Sequence, residues 1–116
     1  MSLSIPKRCG KSPAYIRAPK QEREIAKRVG GRVTPGSGAG DEKADVRVRG
    51  LHRIECKATS RQSFSVTREM LDKLSTAAHS AGEMPVLVVE FLPTEDHAGG
   101  TVAICPEYVL DALKNT

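Results

Sequence analysis

Apolar residues recur along the chain with two different spacings, and the switches between them mark the expected elements. From Lys20, in KQEREIAKRVGG, Ile25, Ala26 and Val29 fall at helical spacing, and Gly30 or Gly31 ends the run. RVT reads as a short strand that leads into the glycine-rich stretch PGSGAGDEK. ADVRVRGLHRIECKAT then alternates with period two on both sides of Gly50, the pattern of a hairpin. A second helical stripe of Met70, Leu71, Leu74, Ala77, Ala78 and Ala81 follows Thr67, a residue suited to cap it, and stops at Gly82. MPVLVVEFL is apolar without a break over the length of a strand, as expected for a strand covered on both faces. After the polar loop PTEDHAGG come a further strand, TVAIC, and a closing helix, PEYVLDALKNT, with Pro106 in its first turn. The expected order is helix, three strands, helix, two strands, helix. This is an α/β single domain with a central mixed five-stranded β-sheet flanked by helices.

The hairpin also carries the first sign of chemistry. Strand side chains alternate, so Val46, Val48, Ile54 and Cys56 share one face while Asp45, Arg47, Glu55 and Lys57 share the other. A three-residue loop at Arg49, Gly50 and Leu51 would set Val48 opposite His52, and therefore Asp45 opposite Glu55 with Cβ atoms about 4.5 to 5.5 Å apart. Two carboxylates at that distance repel by roughly 3 kcal/mol at an effective dielectric near 20, and Lys57 offsets only part of this. Two readings follow. The face is simply solvated, or a cation sits there, and magnesium suits the second because it takes one or two carboxylates with waters and phosphate oxygens. Lysine beside such an ion could orient the attacking water or stabilise charge developing on phosphorus. On the first helix Glu22 falls at the centre of the Ile25, Ala26, Val29 stripe, whereas Glu24 lies on the opposite, basic side. An inward carboxylate calls for a cation or a place near the rim; the alternative is a first-turn glutamate favoured by the helix dipole.

Composition narrows the partners. The chain has 116 residues and a formal charge of +4, with a pI near 9.2, which suits a polyanion such as nucleic acid as well as plain solubility. Aromatic residues are only 3% and tryptophan is absent, so base-stacking platforms are not expected. Cys9, Cys56 and Cys105 form no C-x-x-C pair, which supports neither a disulfide framework nor a zinc knuckle, and Cys56 belongs to the core face. His52, His79 and His97 are scattered without metal-ligand spacing. Residues 1–19 mix Pro6, Pro13 and Pro19 with Lys7, Arg8, Lys11 and Arg17, favouring a basic, flexible N-terminal arm ahead of a folded domain over 20–116. No apolar run approaches the ~18 residues of a membrane span and the first residues lack a secretion signal, so the expectation is a cytoplasmic protein with no membrane partner. The glycine run lacks a following G-K-S/T and an immediate helix, which argues against a nucleotide cofactor. It is either a plain connector or a mobile loop that closes on a phosphate, with Ser37 bonding a phosphate oxygen.

A helix glutamate, a glycine and serine loop, then an aspartate ten residues before an E-x-K is a pattern that resembles the PD-(D/E)xK nucleases. More specifically, EREIAKRV, PGSGAGDEKAD, RIECKATS and VTREM are similar to archaeal-type Holliday junction resolvases, which also occur in phages. The similarity runs from about Gln21 to Leu92. It implies a restriction-endonuclease-like fold and a catalytic set of Glu22, Ser37, Asp45, Glu55 and Lys57. Glu22, Asp45 and Glu55 would hold Mg2+, with Mn2+ able to substitute. It further implies a homodimer that cuts branched double-stranded DNA in a bacterial or archaeal cytoplasm, or that of a phage host. Arg17, Lys20, Ser37, Arg47, Arg61 and Arg68 are the expected DNA contacts, drawn from the basic arm, the outer face of the first helix and the segment beyond the E-x-K strand. Two positions depart from the pattern: Ala44 stands where a proline often precedes the aspartate, and Met70 where many relatives place glutamine. The alternatives are a nicking or restriction-type endonuclease of the same fold, and a DNA-binding module without catalysis.

Overall fold

A computed structural model describes residues 13–34 and 46–114. Its elements follow the expected order: α1 (Pro13–Val29), β1 (Arg32–Val33), β2 (Val46–Val48), β3 (His52–Thr59), α2 (Arg68–Ser80), β4 (Met84–Phe91), β5 (Gly100–Ile104) and α3 (Val109–Lys114). The strands form one mixed sheet in the order β1-β2-β3-β4-β5. β3 and β4 run parallel through the α2 crossover, and the other neighbours are antiparallel.

Each face of the sheet has its own core. α1 lays Ile25 and Ala26 on Val46, Ile54, Cys56 and Val88. On the other face Leu74 of α2 meets Leu87 and Val89, with Phe64, Met70, Leu71, Phe91 and Ile104 packed around them. β4 therefore sends alternate residues into both cores, which explains its unbroken apolar run: Leu87, Val88 and Val89 are all buried. Thr67 caps α2 as expected, its hydroxyl accepting from Met70 N at 3.2 Å.

Both terminal helices depart from expectation. α1 begins at Pro13, so residues 13–19 belong to the helix and not to an extended arm; residues 1–12 lie outside the described residues. Pro13 needs no hydrogen-bond donor at a helix start. Pro19 lacks the N–H that would reach the Tyr15 carbonyl, yet its exposed position and the ion pairs of Arg17 described below allow the helix to continue through it. At the other end Pro106 opens a turn, its carbonyl accepting from Val109 N at 3.0 Å, and α3 has only six residues. No helix among the described residues is long and apolar enough to cross a membrane.

Candidate functional site

The β2–β3 hairpin turns at Arg49, Gly50 and Leu51, with Gly50 at φ +77° and Leu51 N donating to Val48 O at 2.9 Å. Its register is Val48 opposite His52, Arg47 opposite Arg53 and Val46 opposite Ile54, as the alternation predicts. Ile54 and Cys56 consequently face α1, and Glu55 and Lys57 project from the other face of β3. There Lys57 Nζ lies 3.2 Å from Glu55 Oε2, the two side chains 42% and 18% exposed. Asp45 and Ser37 lie outside the described residues, and with them the expected Asp45–Glu55 pair and the phosphate-closing loop.

α1 approaches this strand through Gln21, not Glu22. Gln21 is 2% exposed, and its Nε2 donates to the Lys57 carbonyl at 2.9 Å. Glu22, one residue along, is half-buried. The centre of the buried stripe thus sits one position earlier than the helical wheel places it, and Val29 at its far end is 40% exposed. The reason is polar satisfaction. A neutral amide can enter the interface and meet a strand carbonyl, while a carboxylate there would lose its hydration. The same hydrogen bond fastens the turn of α1 that carries Glu22 to the residue whose side chain holds Glu55. Gln21 Oε1, also buried, has no hydrogen-bond partner among the described residues.

Two arginines expected at DNA are found in ion networks. Arg47 Nη2 lies 2.8 Å from Glu83 Oε2, Arg53 Nε is 3.3 Å from Glu83 Oε1, and Gly50 N donates to Oε2 at 3.1 Å. Burial pushes the Glu83 carboxyl up, but hydrogen bonds from Arg47, Gly50 and Arg53 outweigh it and hold the group below the ordinary carboxylate range. Arg17 Nε meets Glu90 at 3.0 Å, and its Nη1 meets Glu24 at 3.1 Å. Hydrogen bonds to Glu24 and then Glu90 hold the Arg17 guanidinium far above its usual value, and Arg17 in turn depresses the Glu24 carboxyl. Lys20 and Arg61 are exposed, and Arg68, 94% exposed, sits 3.9 Å from Asp72.

Sequence reasoning missed Gln21, Arg53 and Glu83. The signal for the last two was present, since the register that sets Asp45 opposite Glu55 also sets Arg47 opposite Arg53, and like charges there call for an anion. Among the described residues no three His, Cys, Asp or Glu side chains gather as a metal site. Comparison with protein-family models, with curated proteins and with solved structures returned no match.

Proposed function

We propose that this chain is a metal-dependent endonuclease of the PD-(D/E)xK type, with a restriction-endonuclease-like fold, that hydrolyses phosphodiester bonds in branched DNA such as four-way junctions. The observation that carries the reading is the Glu55–Lys57 pair on one face of β3, at the point where the β2–β3 ladder has reached Val46 and Ile54. One further step of that register would set Asp45 opposite Glu55, as the proposal needs. The α1–β3 contact supports it from the other side, because Gln21 fastens the Glu22 turn to Lys57.

The donor chemistry at Glu55 fits a hard cation, whose usual ligands are carboxylate oxygens and water. Glu22, Asp45 and Glu55 would hold Mg2+, or Mn2+ in its place, and the ion would polarise the phosphate and acidify water. Lys57 has the reach for the remaining role. Its ammonium, paired to Glu55 and 42% exposed, can donate to a phosphate oxygen or hold the attacking water in line, and it stabilises the charge that grows on phosphorus. Ser37 would bond a phosphate oxygen from the glycine loop.

A homodimer would present two such sites to the two strands of a junction. Leu110 at 59% and Tyr108 at 46% exposure supply apolar surface for it near the chain's end. The cytoplasm of a bacterial or archaeal cell, or of a phage host, is its proposed place, in keeping with free thiols at Cys56 and Cys105.

Cleavage of labelled four-way junctions, linear duplex and flaps in magnesium, calcium or EDTA tests the reading. Symmetric junction cuts that require magnesium are expected. Indiscriminate nicking would point to a nicking or restriction-type enzyme, and tight binding without cleavage under any metal would leave a DNA-binding module.

A further inference from the structure

A cleft of about 1020 Å3 opens at the carboxyl ends of β3 and β4, the parallel pair of the sheet. In open α/β sheets this is the end where ligands gather. Its floor is apolar. Phe91 is half-buried against the Leu74, Leu87, Val89 core, and Val102 is 47% exposed. Gly100 pairs with Phe91 across β4 and β5, so a side chain at position 100 would stand on the same sheet face as the ring. A Cβ built there meets nothing within 4 Å, and the glycine thus leaves the flank of the ring open.

The walls are polar and firmly built. Thr59 Oγ1 accepts from Arg61 N at 3.0 Å, which fixes the turn that presents Arg61 and Gln62. Opposite, Thr94 and His97 exchange backbone hydrogen bonds of 2.8 and 3.3 Å. Gly99, at φ +83°, presses so closely on β4 that a Cβ would lie 2.5 Å from the Phe91 carbonyl. Gln62 Nε2 and His97 Nε2 meet at 3.3 Å and join the two walls. Arg17, Arg47 and Arg53 are engaged by glutamates, but among the described residues no carboxylate pairs with the Arg61 guanidinium.

A flat apolar floor, a rim of donors and one cation match a ligand with a flat ring, a polar edge and one anionic group. We propose that this cleft binds one unpaired nucleotide of the DNA substrate, its base against Phe91 and Val102, its polar edge toward Gln62, Thr94 and His97, and its phosphate on Arg61. At about 1020 Å3 the cleft slightly exceeds the ~300–1,000 Å3 usual for such sites, room for a nucleotide and its waters. Asp96 on the same rim opposes a second phosphate, which favours a phosphodiester over a nucleoside diphosphate or triphosphate. Arg61 is four residues beyond Lys57, at most ~14 Å of extended chain. On the proposed function, which this inference deepens, the bound nucleotide adjoins the bond to be cut, and the preferred substrate carries an unpaired nucleotide at its branch point.

Fluorescence anisotropy of a labelled short oligothymidylate, measured in EDTA so that nothing is cleaved, tests this against a fully paired duplex of equal length. Arg61→Ala and Gly100→Leu are each expected to weaken single-strand binding about tenfold with unchanged circular dichroism, and Gly100→Leu to leave duplex binding within about twofold. Thymidine monophosphate should compete, and inorganic phosphate at the same concentration should not. Wild-type affinity in Gly100→Leu, or equal competition by phosphate, would overturn the base seat. A chain that cuts junctions but whose single-strand binding ignores both variants sinks this inference alone. A chain that loses single-strand binding in both variants but cuts no DNA sinks the nuclease reading alone.

Discussion

Arg47 and Arg53 stand opposite each other across β2 and β3, a like-charge pair that would weaken the hairpin if Glu83 did not lie against both. Removing that buried carboxylate leaves two guanidinium groups facing each other, so Glu83→Gln should cost about 3–5 kcal/mol in urea denaturation at neutral pH. The sign of the pH dependence follows from the depressed carboxyl. Its contribution is complete above the ordinary carboxylate range and is lost as pH falls through the folded value, so wild type and Glu83→Gln should converge in acid. Glu55 and Lys57 differ in kind. Their partly exposed pair adds little stability, and Glu55→Gln or Lys57→Ala should shift unfolding by no more than about 1 kcal/mol while abolishing cleavage. The positions of Glu55 and Lys57 on one face are legible from alternation alone. The register also shows that Arg47 and Arg53 need an anion between them, but not that Glu83 supplies it, because that partnership links residues 30 and 36 positions apart through a fold that no local pattern encodes.

At the scale of elements, α2 was plain in the sequence because its cap, its stripe and its glycine stop all agree. α1 was read only in part. The helical wheel centres the apolar stripe on Glu22, whereas the neutral amide of Gln21 is what answers a strand carbonyl from within the interface. The early start at Pro13 was hidden by Pro19, since local propensity cannot show that Arg17 ties this end of the helix to Glu90 on β4. Gln21→Leu keeps the volume but leaves the Lys57 carbonyl unanswered. It should cost about 1–3 kcal/mol in thermal or urea unfolding and lower the cleavage rate at saturating DNA more than DNA affinity. Equal loss of affinity and rate would show that the contact does not position Lys57.

Across the whole molecule, the mixed sheet was readable from two periodicities and one crossover, and alternation about the three-residue turn at Gly50 gave the observed hairpin register. The distribution of charge was not. The chain's formal charge is +4, yet Arg17, Arg47 and Arg53 are held by glutamates inside the fold, so fewer cations face a polyanion than the total suggests. Among the described residues Lys20, Arg61 and Arg68 are the exposed cations expected at phosphates. Arg68→Ala should reduce the slope of log affinity against log salt by about one, whereas Arg47→Ala should lower stability and leave that slope nearly unchanged. Equilibrium binding at several salt concentrations, paired with urea unfolding, separates the two effects.

Anomalous diffraction from crystals grown with manganese and junction DNA would show whether Glu55 and Lys57 lie at a divalent-ion site. The expected result is an anomalous peak about 2.1 Å from a Glu55 carboxylate oxygen, shared with Asp45. Its contradiction is a map in which manganese avoids Glu55 and that carboxylate remains paired with Lys57 alone.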